Sequence, residues 1–235
     1  MSNSYFNFKQ FTIRQDNSAF KVGTDGVLLG ACAHLTGVTR ILDIGSGTGL
    51  IAIMLAQRCN AEIVAIEPDY ESFIQCLENV GHCRWKERIG VVNAKLQDYE
   101  SDEKFDLIVT NPPYFSDSLK NPDPRKSASR HNDSLSNEEL LKGASRLITE
   151  GGRLQVILPY VEGNILIAEA IEYGFFCNNI LKIRPLQTSE IRRLIMTFSR
   201  QKIGTTEKFL TIEQGKRHEF TEEYKKLVSE FYLKF

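Results

Sequence analysis

"LDIGSGTGL", residues 42–50, decides the fold. The apolar residues leading into it, "RILDIG", read as a strand, and "TGLIAIMLAQRC" reads as a helix. Between them Gly45, Gly47 and Gly49 let the backbone turn tightly and approach a ligand. The helix that opens there presents free N–H groups. The same alternation continues downstream. "AEIVAIEP" is a strand, "DYESFIQCLENVGHC" a helix, and "RIGVVNA" and "FDLIVT" are strands. "SNEELLKGASRLITEGG" is a helix opened by a Ser136–Glu139 capping box and stopped by Gly151-Gly152. "RLQVILP" is a strand and "VEGNILIAEAIEYG" a helix. Apolar strands alternating with amphipathic helices predict an α/β fold, a mostly parallel sheet with helices on both faces.

The flanks differ in character. "YFNFKQFTIRQDNSAFKV" alternates aromatic and polar residues, as a hairpin does, and "TDGVLLGACAHL" reads as a short helix starting at Thr24 or Asp25. Near the end, "FCNNILKIRPL" and "IRRLIMTFSRQKI" predict an antiparallel hairpin that closes the sheet. "EKFLTIEQ" is a candidate further strand and "TEEYKKLVSEFYL" a terminal helix. The long irregular stretch, residues 111–135, is the kind of loop that carries function. One domain, 1–235, is expected: an N-terminal segment (1–38) beside the ligand site, a core (39–203), and a C-terminal strand and helix (204–235).

A net charge of −1 rules out global basicity as a sign of a nucleic-acid partner, so any such partner must be read from local patches. The five cysteines form no C-x-x-C pair, which favours reduced thiols and a cytoplasmic protein. "MSNSYFNFKQ" has no apolar signal core, and no run approaches the roughly 18 apolar residues of a membrane span. No metal-ligand set stands out, and a monomer is expected.

The dinucleotide fingerprint G-x-G-x-x-G fails at Leu50, so the pattern is G-x-G-x-G. Asp43, just before the glycines, would repel a pyrophosphate but suits an ammonium group. Glu67, at the end of "AIEP", can accept hydrogen bonds from both hydroxyls of a ribose. An amino-acid end plus a ribose end describes S-adenosylmethionine. Here the chain resembles the class I S-adenosylmethionine-dependent methyltransferases over residues 40 to about 200. The resemblance implies a Rossmann-like, seven-stranded sheet whose last strand is antiparallel. Many such enzymes place an acid just after the third strand, against the cofactor's adenine. Here Lys95 stands at that place; Asp98, three residues on, is either the substitute or a solvated surface acid.

"TNPPY", residues 110–114, follows the fourth strand. Two prolines cannot continue a ladder, and Pro112 biases Asn111 away from helical backbone. The Asn111 side-chain carbonyl and the Pro112 carbonyl, stiffened by Pro113, can accept both N–H bonds of an exocyclic amino group. That frees the nitrogen lone pair to attack a methyl sulfonium. Tyr114 offers a ring on which a base stacks. The motif resembles the (D/N/S)-P-P-(Y/F) signature of amino-methyltransferases acting on adenine N6, guanine N2 or a glutamine amide.

Basic residues cluster in two places. "LKIRPLQTSEIRRLIMTFSRQK" carries Lys182, Arg184, Arg192, Arg193, Arg200 and Lys202; "KNPDPRKSASRH" carries Lys120, Arg125, Lys126, Arg130 and His131. Each is either a phosphate-binding face or a solvated surface with ordinary salt bridges. No helix-turn-helix, zinc-ligand set or long insertion offers duplex readout, which favours a structured RNA loop. "FKQFTIRQDNSAFKVGTDGVLLGA" and "RKSASRHNDSLSNEELL" resemble the bacterial tRNA1(Val) adenine-37 N6-methyltransferase family, and the similarity spans essentially the whole chain. It implies methylation of adenine 37 in the anticodon stem-loop of a valine tRNA. It also implies Lys21, Gly23 and Thr24 as cofactor-pocket residues, and Arg130 and His131 on a loop over the RNA. Arg184, Arg192 and Arg193 are further candidates for RNA contact. Release-factor glutamine methyltransferases, guanine-N2 rRNA methyltransferases, NAD-dependent dehydrogenases and a non-catalytic RNA-binding scaffold are the competing readings. The short N-terminal segment, the final Tyr of the motif, Leu50 with Asp43, and the intact Asp43–Glu67–Asn111 set argue against them in turn.

Overall fold

The structure, a computed structural model, describes residues 3–18, 21–113 and 135–235. Tyr114, Lys120, Arg125, Lys126, Arg130 and His131 lie outside them. The chain opens with a two-stranded antiparallel hairpin, β1 (Tyr5–Asn7) and β2 (Thr12–Arg14), followed by α1 (Thr24–Cys32). The repeating unit then runs β3 (Arg40–Ile44), α2 (Leu50–Arg58), β4 (Glu62–Ile66), α3 (Tyr70–His82), β5 (Ile89–Val92) and β6 (Phe105–Thr110). After the undescribed stretch come α4 (Asn137–Leu147), β7 (Ile148–Pro159), α5 (Tyr160–Ala170), β8 (Phe176–Leu186), β9 (Arg193–Ser199), β10 (Thr206–Glu213) and α6 (Glu222–Val228).

β3 to β10 form one sheet in the order β10-β8-β9-β7-β6-β3-β4-β5. β9 runs antiparallel to both β7 and β8; every other neighbouring pair is parallel. Seven strands make the expected sheet with its antiparallel member, but two details differ from expectation. The sheet has eight strands, because β10 adds in parallel outside β8. The hairpin does not end the sheet with β9: the chain goes out to β8 and turns back inward, so β9 fills the slot beside β7.

Successive side chains of a strand face opposite ways, and these strands use both directions. Ile41, Leu107 and Val109 pack with α1, α2 and the N-terminal hairpin, while Leu42, Ile108 and Phe105 pack with α4 and α5. Both faces are therefore covered, which a parallel sheet requires. The capping box forms as read, with Ser136 and Glu139 exchanging side-chain-to-backbone bonds. The glycine stop does not. α4 ends at Leu147, and Ile148 is already extended (φ −83°, ψ 147°) and paired with Phe105. The pairing then shifts to Leu107↔Arg153, so Gly151 and Gly152 serve an irregularity at the start of β7. A Cβ on Gly152 would stand 2.9 Å from the Phe105 carbonyl oxygen.

Candidate active site

In an open parallel sheet the strand ends expose loops at one edge, where the strand order reverses. β3 is that switch point: β4 and β5 lie on one side of it, β6 and β7 on the other. Its glycine loop is stitched to the end of β4, since the N–H groups of Gly45 and Ser46 both donate to the Ile66 carbonyl, at 2.9 and 3.1 Å. Gly45, Gly47 and Gly49 have φ of +68°, +55° and +79°, all left-handed. A Cβ on Gly45 or Gly47 would meet nothing within 4 Å, whereas one on Gly49 would stand 2.8 Å from Cys76 Sγ. The loop thus has an open face at its first two glycines and a packed one at its third.

Asp43 is fully buried beneath this loop. Its Oδ2 accepts from the Ala52 N–H of α2 at 3.1 Å, and its Oδ1 has no partner among the described residues. Burial pushes its pKa up to about 7; the Ala52 N–H offsets part of that, and the charge of Glu67 adds to it. A buried carboxylate with a spare acceptor is a place where a cationic ligand group restores the lost solvation. Glu67 follows β4 and accepts from the Gly47 N–H at 2.7 Å and the Asp69 N–H at 3.0 Å. Burial raises its pKa as well, against the lowering effect of those two N–H groups. A carboxylate offers about four acceptor positions, so capacity for hydroxyl groups remains.

Asn111 follows the last residue of β6, half-buried, with Pro112 buried and Pro113 half-buried. Thr110, just before it, is fully buried, and its hydroxyl donates to the Ile44 carbonyl at 2.9 Å. That bond ties the end of β6 to the end of β3, next to the glycine loop. The first turn of α1 closes the other side: a Cβ on Gly26 would stand 3.9 Å from Asn111 Nδ2. Lys21, Gly23 and Thr24 are exposed on the approach to that turn.

The sequence-predicted set divides. Asp43, Gly45, Gly47, Gly49 and Glu67 gather where β3 and β4 end, with the Gly47 N–H bonded to Glu67, and Asn111 and Pro112 stand at the neighbouring strand end. Asp98 is exposed in a turn, its N–H donating to the Lys95 carbonyl at 3.2 Å. Of the basic stretch, Arg184 donates to Thr211 Oγ1 (2.9 Å) and Gln187 Oε1 (2.6 Å). Arg193 pairs with Asp25 (2.7 Å), Lys182 with Glu207, and Arg200 donates to Ser145 Oγ (2.6 Å). Arg192 is exposed at this edge, beside the end of β7, and its carbonyl accepts from the Tyr160 N–H at 3.2 Å. Ordinary internal pairing therefore describes most of this cluster.

Sequence reasoning missed several residues. Asn93, past β5, donates to the Glu67 carbonyl at 2.7 Å. Asn79 donates to the carbonyls of Thr48 (2.9 Å) and Arg14 (2.8 Å), joining the glycine loop to the N-terminal hairpin. Gln75 accepts from the N–H groups of Asp16 and Asn17 at 3.1 and 3.2 Å. Gln75 and Asn79 are buried on the face of α3 that also buries Cys76 and Val80. Polar amides at inward positions of a helix were the available signal.

This fold and this strand-end site define a class I methyltransferase. The family model described as "Methyltransferase small domain" matches residues 26–164. A predicted O-methyltransferase from Agrobacterium tumefaciens has the same fold, with a TM-score of 0.67 at 21% identity over 88% of this chain and 96% of that one. A glycopeptide N-methyltransferase crystallised with S-adenosyl-L-methionine gives a TM-score of 0.59 at 10% identity, over 78% and 96%. Sequence similarity is far higher to curated bacterial enzymes named tRNA1(Val) (adenine(37)-N6)-methyltransferase. The one from Bacteroides thetaiotaomicron is 46% identical over 99% of both chains, and the one from Trichodesmium erythraeum 42% identical over 100% of both. The chain belongs to the tRNA1(Val) (adenine(37)-N6)-methyltransferase family.

Proposed function

We propose that this protein transfers one methyl group from S-adenosylmethionine to N6 of adenine 37 in the anticodon loop of tRNA1(Val). The observation that carries the chemistry is Asn111-Pro112 at the end of β6, beside the glycine loop and the buried, half-partnered Asp43. Membership of a family whose curated members bear that name carries the substrate.

The residues present suit the cofactor. Asp43 Oδ1 is an unpartnered buried acceptor for its ammonium group, directly or through water. Gly45 and Gly47 leave a cradle that a Cβ would fill, and Glu67 faces the ribose hydroxyls. Lys21, Gly23 and Thr24 form the outer wall. Either Asp98 or a backbone group near Asn93 reads the adenine. When bound, the cofactor supplies an electrophilic methyl on a sulfonium.

Asn111 Oδ1 and the Pro112 carbonyl accept the two N6–H bonds of the substrate adenine. Lone-pair density withdrawn into the ring returns to N6, which becomes the nucleophile for the methyl the cofactor would supply. Transfer would leave the electrons of the broken C–S bond on the departing sulfur and N6 transiently positive, and the extra N6 proton would pass to solvent. Both acceptors bind that developing charge more strongly than the neutral amine, which is what lowers the barrier. Tyr114 stacks on the base. Arg130, His131 and Arg192 contact the RNA backbone. Residues 1–235 act as one unit, a cytoplasmic monomer that needs no metal.

The direct test is incubation of unmodified tRNA1(Val) with methyl-labelled cofactor, followed by nucleoside analysis. Label in N6-methyladenosine that disappears when position 37 is changed supports the proposal. Label in N2-methylguanosine, or in a release-factor glutamine and not in tRNA, overturns it.

A further inference from the structure

Asp25 and Arg193, far apart in the chain, meet at 2.7 Å between Oδ2 and Nε, with side chains only 24% and 25% exposed. Arg193 is the first residue of β9 and pairs across the sheet with Pro159, the last of β7. Its Nη1 also donates to the Arg192 carbonyl at 3.0 Å, the same carbonyl that accepts from Tyr160 N–H. Its guanidinium is thus fixed to the rigid rim where β7 and β9 meet. Asp25 lies in the first turn of α1, whose N-cap, Gly23, makes no side-chain capping bond. Gly23 offers no side-chain acceptor to the first N–H groups of the helix. The long-range ion pair supplies an anchor in its place.

The next residue is Gly26, buried against the site. A Cβ there would stand 3.2 Å from Leu50 Cδ2 and 3.9 Å from Asn111 Nδ2. The first turn of α1 is therefore held on one side by Arg193, and on the other its Gly26 faces Leu50 and the Asn111 amide so closely that a Cβ would fill the space between. We propose that the Asp25–Arg193 ion pair is a positioning clasp for Asn111. It presses the α1 turn onto the Asn111 amide and so fixes where Oδ1 points. This deepens the functional reading above and rests on the role given there to Asn111. It also gives Arg193 a task other than contacting RNA. A side chain with one sp³–sp² terminal torsion needs such a wall, because that torsion is broad and roughly two-fold when unconfined.

Two measurements on the full chain test the clasp, using the near-isosteric Asp25→Asn, the single Arg193→Gln, the double variant, and the reversal Asp25→Arg with Arg193→Asp. The first is hydrogen–deuterium exchange of the ligand-free protein, which needs no activity. Either single variant is expected to speed exchange about tenfold in both 21–32 and 105–111, because local opening of α1 uncovers the end of β6. The second is steady-state methylation of tRNA. Each single variant is expected to lower kcat about tenfold or more while the KM for tRNA stays within about threefold, and the double variant is no worse than either single. The reversed pair regains part of the lost kcat. Unchanged exchange at 105–111 overturns the clasp. So does a raised tRNA KM in Arg193→Gln with a silent Asp25→Asn, which would make Arg193 an RNA contact. A wild-type protein that methylates no tRNA would count against the functional reading alone, and the exchange result would still decide the clasp.

Discussion

The glycine loop and the basic stretch 182–202 both reach the ligand edge of the sheet, yet they are built in opposite ways. In the loop, the cluster is made by neighbours in sequence. Asp43, Gly45 and Gly47 stand together because a strand end and a helix start force them together, and Glu67 joins them at the end of the adjacent strand. In the basic stretch, four of the six basic side chains are engaged by a partner far away in sequence. Arg184 is bonded to Thr211, Arg193 to Asp25, Arg200 to Ser145 and Lys182 to Glu207. A run of arginines in sequence is therefore not a run of free arginines in space. Backbone geometry is written locally; the availability of a charge is written across the whole fold.

The comparison can be broken first at the loop side of the edge. On the proposed mechanism, Asn111→Ala removes an acceptor that gains strength only as the transition state forms. It is expected to lower methyl transfer on the order of 10²–10³-fold, with cofactor affinity measured by calorimetry nearly unchanged. Wild-type-like turnover would remove Asn111 from the clamp.

The three glycines give a sharper internal contrast. Gly49→Ala combines left-handed strain of about 1–2 kcal/mol with crowding against Cys76 worth about 1–3 kcal/mol. Gly47→Ala carries the strain alone, since its Cβ meets nothing within 4 Å, but fills the cradle. Thermal melts should therefore show the larger loss of Tm for Gly49→Ala, and cofactor titrations the larger loss of affinity relative to stability for Gly47→Ala. The reverse order would mean that the open face is not where the ligand lies.

Asp43 predicts a pH signature. Its folded pKa, about 7, stands above the ordinary value of 3.8. The stability this confers is fully present below that ordinary value and is lost as pH rises through about 7. The ligand-free protein should lose a few degrees of Tm between pH 6 and pH 8, and Asp43→Asn should lose less. A cationic ligand group favours the charged carboxylate, so cofactor affinity should rise over the same range, approaching tenfold per pH unit below 7. Calorimetry in Asp43→Asn should show that rise flattened.

The smallest effect belongs to the basic stretch. Arg192→Ala should weaken tRNA binding modestly and reduce the slope of log K against log salt by about 0.7. Arg184→Ala should leave the slope alone and lower Tm, because its fork is spent on Thr211 and Gln187. Equal salt slopes in wild type and Arg192→Ala would place Arg192 with its internally paired neighbours.

What was legible in the sequence follows the same division. The parallel core, the glycine loop, Asp43, Glu67 and the strand-ending Asn-Pro-Pro were readable, because short-range periodicity and turn chemistry fix them. The place of β9 was not. A hairpin pattern says that two strands pair, but only the free edge of β7 decides which one lies inside. β10 was readable as a strand but not as the outer parallel neighbour of β8, which depends on a register set 27 residues away, as in Thr206↔Asn179. Gly151-Gly152 misled for a related reason. A glycine pair after a helical pattern reads as a stop, yet β-branched Ile148 was already drawn into pairing with Phe105. Asn79 and Gln75 escaped notice because their partners are backbone groups of the N-terminal segment and the glycine loop, which no local pattern reveals.

The central claim is that Asn111 clamps an adenine amino group of a valine tRNA. The most direct measurement is nucleoside mass spectrometry of purified tRNA1(Val) from a bacterial strain lacking this protein, complemented with the wild-type chain or with Asn111→Ala. The account predicts N6-methyladenosine at position 37 with the wild-type chain only. Restoration of that nucleoside by Asn111→Ala, or a valine tRNA whose modification does not change in any of the strains, would contradict it.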